Sequence, residues 1–162
     1  MYRLVLAGSV GLLAVVPVRG AAAQRMSGVE VGVLAPGDGG LLQVGYRFAV
    51  LNRNSLGIDV AVATLPQAVL QGVALLGADL DAAFLLSPTE AVGFVARAGV
   101  SAIAGAGAGG GGAVFGYNLG GGVMVRPSSN AAVRADYTVR RLTLDDDRVS
   151  LPSLTFGVAW LH

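Results

Sequence analysis

Val92-Gly93-Phe94-Val95-Ala96-Arg97-Ala98-Gly99-Val100-Ser101 decides the fold. Val92, Phe94, Ala96, Ala98 and Val100 would share one face of an extended strand. Gly93, Val95, Arg97, Gly99 and Ser101 would share the other, because side chains on a strand point to opposite sides in turn. The same period of two recurs along the chain. Val29, Val31 and Val33 alternate with Glu30 and Gly32. Val44, Tyr46, Phe48 and Val50 alternate with Gln43, Gly45, Arg47 and Ala49. Leu56, Ile58, Val60 and Val62 oppose Gly57, Asp59, Ala61 and Ala63, and Leu76 to Phe84 oppose Gly77, Asp79, Asp81 and Ala83. Beyond the opening segment come Phe115 to Val125 against Gly116 to Arg126, Val133 to Val139 against Arg134 to Arg140, and Leu154 to Trp160 against Ser153 to Ala159. Eight segments result, each with one oily face and one small or polar face.

Alternation alone does not say which face is inside. A soluble barrel turns its large apolar residues inward, whereas a membrane barrel turns them to lipid and fills its lumen with polar groups. The second face is mostly glycine and alanine with isolated charges. A solvated surface would be about a quarter to a third charged. The charges on that face are Glu30, Asp59, Asp79, Asp81 and Asp136 against Arg47, Arg97, Arg126, Arg134 and Arg140, so pairing inside a lumen is expected. Unpaired, they would be costly there.

Connection lengths add a second sign. Asn52-Arg53-Asn54-Ser55, Ser87-Pro88-Thr89-Glu90 and Pro127-Ser128-Ser129-Asn130 read as compact turns. Longer connections are expected at Pro36 to Gly40, Leu65 to Gly72, Gly105 to Gly112 and Arg141 to Leu151. Short periplasmic turns and longer outer loops are the asymmetry of outer-membrane barrels.

The amino-terminal residues 1–23 read as a cleavable signal peptide. Arg3 gives the positive start, Leu4 to Val16 the apolar stretch, and Ala21-Ala22-Ala23 the small residues before cleavage, with Gln24 the first mature residue. That apolar run of about 13 residues is short for a spanning helix, which needs about 20. Residues 24–162 then form the barrel domain. Charged residues make up 13% of the chain and mean hydropathy is +0.67, yet no mature segment offers a helical span. Without Arg3 and Arg19 the mature chain has 11 − 2 = 9 basic residues against 10 acidic ones, which gives no field for nucleic acid. Cysteine is absent, so disulfides, thiolate metal sites and a lipoprotein anchor are excluded.

The closing stretch Thr155-Phe156-Gly157-Val158-Ala159-Trp160-Leu161-His162 carries a resemblance. Thr155, Gly157 and Trp160 match the assembly signal of the eight-stranded outer-membrane barrels related to outer membrane protein A and outer membrane protein X. The last position departs, since the family usually ends in an aromatic residue and this chain in His162. Over residues 28–162 the chain resembles that family in strand number, length and turn layout. The resemblance implies an all-β, eight-stranded antiparallel up-and-down transmembrane barrel located in the cell outer membrane. It further implies contact with outer-membrane lipid and lipopolysaccharide, recognition of the carboxy-terminal strand by the assembly machinery, and a monomer.

No catalytic constellation emerges. His162 is the sole histidine and is terminal, so a Ser-His-Asp triad or histidine metal site would hang on the last residue. Asp145-Asp146-Asp147 offers oxygen ligands to a hard cation but reads first as a solvated acidic loop. Gly105 to Gly112 lacks the lysine and threonine of a phosphate loop and reads as a hairpin loop. Tyr46, Tyr117, Tyr137 and Trp160 are candidates for an interfacial aromatic belt. No cofactor and no enzyme activity are expected. The expected function is a structural or surface-interaction barrel, porin-like in form, with its lumen filled by side chains rather than conducting. The alternative is a soluble periplasmic or secreted barrel that binds an apolar ligand. The direction of Val60, Phe94, Tyr137 and Phe156 separates the two.

Overall fold

The computed structural model describes residues 24–35, 39–52, 55–86, 91–144 and 147–162. The signal-peptide expectation for residues 1–23 therefore lies outside the described residues, as do Ser87 to Glu90. The strands are β1 (Gln24–Leu34), β2 (Leu41–Leu51), β3 (Leu56–Thr64), β4 (Ala74–Leu86), β5 (Val92–Gly107), β6 (Gly110–Ser128), β7 (Ala131–Leu144) and β8 (Asp147–Leu161), with one short helix, α1 (Pro66–Leu70), between β3 and β4. Each strand pairs antiparallel with its neighbours in sequence, and β8 closes on β1. Closure removes every sheet edge, the one β arrangement that lipid tolerates.

The register fixes the barrel's geometry. One row of paired residues runs Gln24, Leu51, Gly57, Ala83, Arg97, Gly120, Thr138, Ser153 and returns to β1 at Leu34. The row has climbed 34 − 24 = 10 residues. A stagger of this kind is what tilts strands by roughly 35–45° in a closed barrel. Eight tilted strands leave an interior just wide enough for side chains, which explains the glycines on the inner face. A Cβ added at Gly116 would collide with the backbone carbonyl oxygen of Arg141, and one at Gly57 with that of Val50.

The predicted faces hold on all eight strands. Val29, Tyr46, Ile58, Leu80, Phe94, Leu119, Tyr137 and Phe156 are exposed outside, while Glu30, Arg47, Asp59, Asp79, Arg97, Asn118, Asp136 and Thr155 are buried inside. Val60, partly exposed, belongs to the outer face with Ile58 and Val62.

The connections differ from expectation at the end away from the termini. Gly105 to Gly112 is not a loop: β5 and β6 pair up to Gly107↔Gly110, leaving only Ala108 and Gly109 as the turn. Arg141 to Leu144 and Asp147 to Leu151 are likewise strand, with β7 and β8 paired out to Leu144↔Asp147. Glycine and polar composition suggested loops there, but once two strands are zipped in register the ladder continues through residues of poor strand preference. Leu65 to Gly72 contains α1, with Pro66 at its first turn, where its missing N–H costs nothing. At the other end β6 runs into the predicted turn cluster as far as Ser128, with a register irregularity after Val125. The start of β1 meets the carboxy terminus at this end, where the Arg25 N–H donates to the His162 carbonyl and the His162 N–H to the Arg25 carbonyl.

Candidate functional site: the ion-paired interior

Period two places every second residue of each strand in the lumen, and the stagger brings distant ones together. In the middle of the barrel lie Glu30 (β1), Arg47 (β2), Asp59 (β3), Arg97 (β5), Arg134 and Asp136 (β7). Arg47 Nε donates to Glu30 Oε2 at 2.8 Å and Arg47 Nη1 to Asp59 Oδ1 at 2.8 Å. Asp59 Oδ2 also faces Arg97 Nη1 at 3.7 Å and Arg134 Nη2 at 3.6 Å. Asp136 receives Arg97 Nη2 at 2.9 Å, with Arg134 Nε at 3.3 Å. Three guanidinium groups thus meet three carboxylates, and the cluster is neutral. Asp59, 1% exposed, is its hub.

A second polar layer lies nearer the α1 end. Arg140 grips Asp79 with two donors, Nε at 2.9 Å and Nη2 at 2.5 Å. Such a two-pronged contact is the geometry guanidinium favours. Arg140 Nη1 donates to Ser153 Oγ at 2.9 Å, Ser101 Oγ to Asp79 Oδ1 at 2.6 Å, and Asn118 Nδ2 to Ser101 Oγ at 2.9 Å.

Apolar side chains pack at both ends of this polar column. Met26, Leu51, Leu85, Val95 and Met124 pack together near the termini. Leu34, Leu65, Ala68, Leu142 and Leu151 pack at the opposite mouth. There Leu65 and Ala68 bring α1 against the cluster, and Gln67 Oε1 accepts from the Leu42 N–H at 2.6 Å. A void of about 30 Å³ remains beneath this cap, lined in part by Leu34, Gln43, Leu65 and Arg140. These caps were not foreseen. The signal was present in the inward-facing positions near the strand ends, which turn from charged to Leu or Met.

Two expectations about the interior charges need correction. Arg126 lies outside the central cluster, at the terminal end of β6, and donates to Gln24 Oε1 at 3.2 Å. Asp81 is buried, yet among the described residues no arginine lies within ion-pair distance of it, and its Oδ1 has no hydrogen-bond partner. The four aromatic-belt candidates all lie on the outer face. Trp160 pairs with Ala131 and Ser27 near the terminal end, and Tyr117 pairs with Arg141 toward the other, but Tyr46 and Tyr137 sit in mid-strand.

His162 Nε2 lies 3.4 Å from Ser27 Oγ at the terminal end. Among the described residues no group of three or more histidines, cysteines and carboxylates could hold a metal ion. Asp145 and Asp146 lie outside the described residues, and Asp147 begins β8.

No protein-family model matches the chain, and no curated protein matches it in sequence. Solved structures do match in shape. The N-terminal β-barrel domain of OprF of Pseudomonas aeruginosa is 13% identical, with TM-score 0.67, covering 87% of this chain and 100% of that one. Ail, the attachment invasion locus protein of Yersinia pestis, is 13% identical, with TM-score 0.58, covering 88% and 100%. Neisserial surface protein A is 16% identical, with TM-score 0.59, covering 87% and 98%. An oily exterior, an ion-paired interior and closure of β8 on β1 are thus joined in one molecule, and the chain has the fold of the eight-stranded bacterial outer-membrane β-barrels.

Proposed function

We propose that the protein is an integral outer-membrane barrel with a structural or surface-interaction role, without catalysis and with its lumen occluded by its own side chains. The observation that carries the reading is inverted polarity. Phe115 and Leu119 are 67% and 66% exposed, while Asp59 and Arg97 are 1% and 2% exposed. In water that arrangement would forfeit about 25 cal/mol for each Å² of apolar surface left exposed. Against acyl chains it forfeits nothing. A soluble carrier of an apolar ligand would need the opposite arrangement, with Phe94, Tyr137 and Phe156 lining a cavity.

The two apolar caps and the neutral central cluster support occlusion, and the attachment and surface-protein names of two structural neighbours support a role at the cell surface. Thr155, Gly157 and Trp160 on β8 serve as the assembly signal, and the closed sheet needs no second copy. Residues 1–23 direct export and are removed. Fractionation tests the location. The protein should sediment with outer membranes and migrate faster unboiled than boiled on a denaturing gel; recovery as a soluble periplasmic protein would overturn it. Planar bilayers test occlusion, with no steady conductance above the lipid background expected.

A further inference from the structure

Among the described residues the interior buries five carboxyl groups, Glu30, Asp59, Asp79, Asp81 and Asp136, against four guanidiniums, Arg47, Arg97, Arg134 and Arg140. Asp81 is the group left over. Directly opposite it on β3 stands Asp59, already engaged by Arg47, Arg97 and Arg134. Two places along β4, on the same face, stands Asp79, which Arg140 holds. Arg97 of β5 gives its contacts to Asp136 and Asp59, and Arg47 of β2 to Glu30 and Asp59. The helix α1, which also packs on β4, carries no charge. A charged Asp81 would therefore face two carboxylates with no cation of its own, and like charges directly across a strand pair repel.

Hydrogen bonding singles out the same group. Asp81 pairs with Gly99 of β5, and Gly99 with Asn118 of β6, so the three share one row. Asp81 Oδ1 extends over Gly99, where any Cβ would collide with it, and the Asn118 amide faces the carboxyl from β6. Asp81 and Asn118 are each 3% exposed, yet Asp81 Oδ1 and Asn118 Oδ1 both lack a hydrogen-bond partner among the described residues. Two buried acceptors thus share a row with no donor for either. Beyond them the donors run one way. Asn118 Nδ2 donates to Ser101 Oγ at 2.9 Å and Ser101 Oγ to Asp79 Oδ1 at 2.6 Å, where Arg140 closes the chain.

We infer that Asp81 is a proton-binding site sealed in the lumen, its carboxyl held as the neutral acid and donating its O–H to Asn118 Oδ1. One proton removes the unmatched charge and satisfies both orphan oxygens. It also completes a chain from Asp81 through Asn118 and Ser101 to Asp79, in which each bond polarises the next. A metal cation is a poorer occupant, because neither interior void borders Asp81 or Asn118, and a proton needs no space. The site lies where the central ion cluster meets the second polar layer, so losing the proton would set an unpaired charge against both. This goes beyond the proposed function and depends on the interior rather than on the membrane location.

Infrared spectroscopy of the purified barrel, folded in an ester-free detergent at neutral pH, tests the assignment. The wild type should show the C=O stretching band of a neutral carboxylic acid, and D81N should lack it. N118L should keep the band at a higher frequency, because the acid has lost its acceptor. Urea titrations give an independent reading. Unfolding delivers Asp81 to water, where a carboxyl ionises above about pH 4, so the wild type releases a proton that D81N does not have. Between about pH 5 and 7 the folding constant of the wild type relative to D81N should therefore fall about tenfold per pH unit. No acid band in the wild type, its persistence in D81N, an unshifted band in N118L, or parallel pH dependence of wild type and D81N would each overturn the site. Unboiled-gel mobility reports barrel formation separately, so a misfolded variant is not mistaken for a lost proton.

Discussion

Asp59 shows how much can rest on one side chain. It touches three arginines, and its replacement by asparagine keeps shape but leaves Arg47, Arg97 and Arg134 facing only Glu30 and Asp136. Stranding a buried charge costs about 3–5 kcal/mol. D59N should therefore lower the urea midpoint of the refolded barrel sharply, whereas D81N, which removes a carboxylate with no arginine in reach, should leave it unchanged or raise it. Equal effects would show that the interior pairing is not what holds these residues. Gly116 makes a different demand. G116V would drive its Cβ into the Arg141 carbonyl and should prevent recovery of the compact unboiled form. The identities of the interior charges were legible in the sequence, because each sat opposite an oily neighbour. Their partners were not. Arg97 and Asp136 are 39 positions apart, and the register of β5 and β7 against β6 brings them within two residues of the same level.

Among the elements, β8 tests the environment of the outer face. Phe156 lies in the middle of β8, and Val125 near the terminal end of β6. An arginine on the lipid face costs about 2–4 kcal/mol at the bilayer midplane and about 0–1 near the interface. F156R should therefore destabilise the barrel in vesicles by several times the cost of V125R. In a soluble protein both would be mild, since both positions are exposed. Strand existence and facing were readable from period two, and the closing strand Thr155 to Trp160 carried a family resemblance. Strand ends were not readable. Gly105 to Gly107, Gly110 to Gly112, Arg141 to Leu144 and Asp147 to Leu151 have loop composition, yet they continue the ladder because their neighbours hold them in register. The helix Pro66–Leu70 was too short for a helical period to declare itself.

The whole molecule is a column of four layers within a sleeve of apolar residues: cap, ion cluster, second polar layer, cap. The sleeve was legible in the sequence because it is a local pattern repeated eight times. The layering was not, because it depends on how far each strand is displaced against the next. The central claim is that the sleeve meets acyl chains, and the absence of cysteine makes it directly measurable. Single cysteines at positions 29 to 33 of β1, each carrying a fluorophore, can be read in vesicles whose acyl chains bear a quencher. Strong quenching at Val29, Val31 and Val33 and weak quenching at Glu30 and Gly32 is predicted. Quenching without that alternation, or free labelling of the three valine positions by a membrane-impermeant thiol reagent, would contradict it.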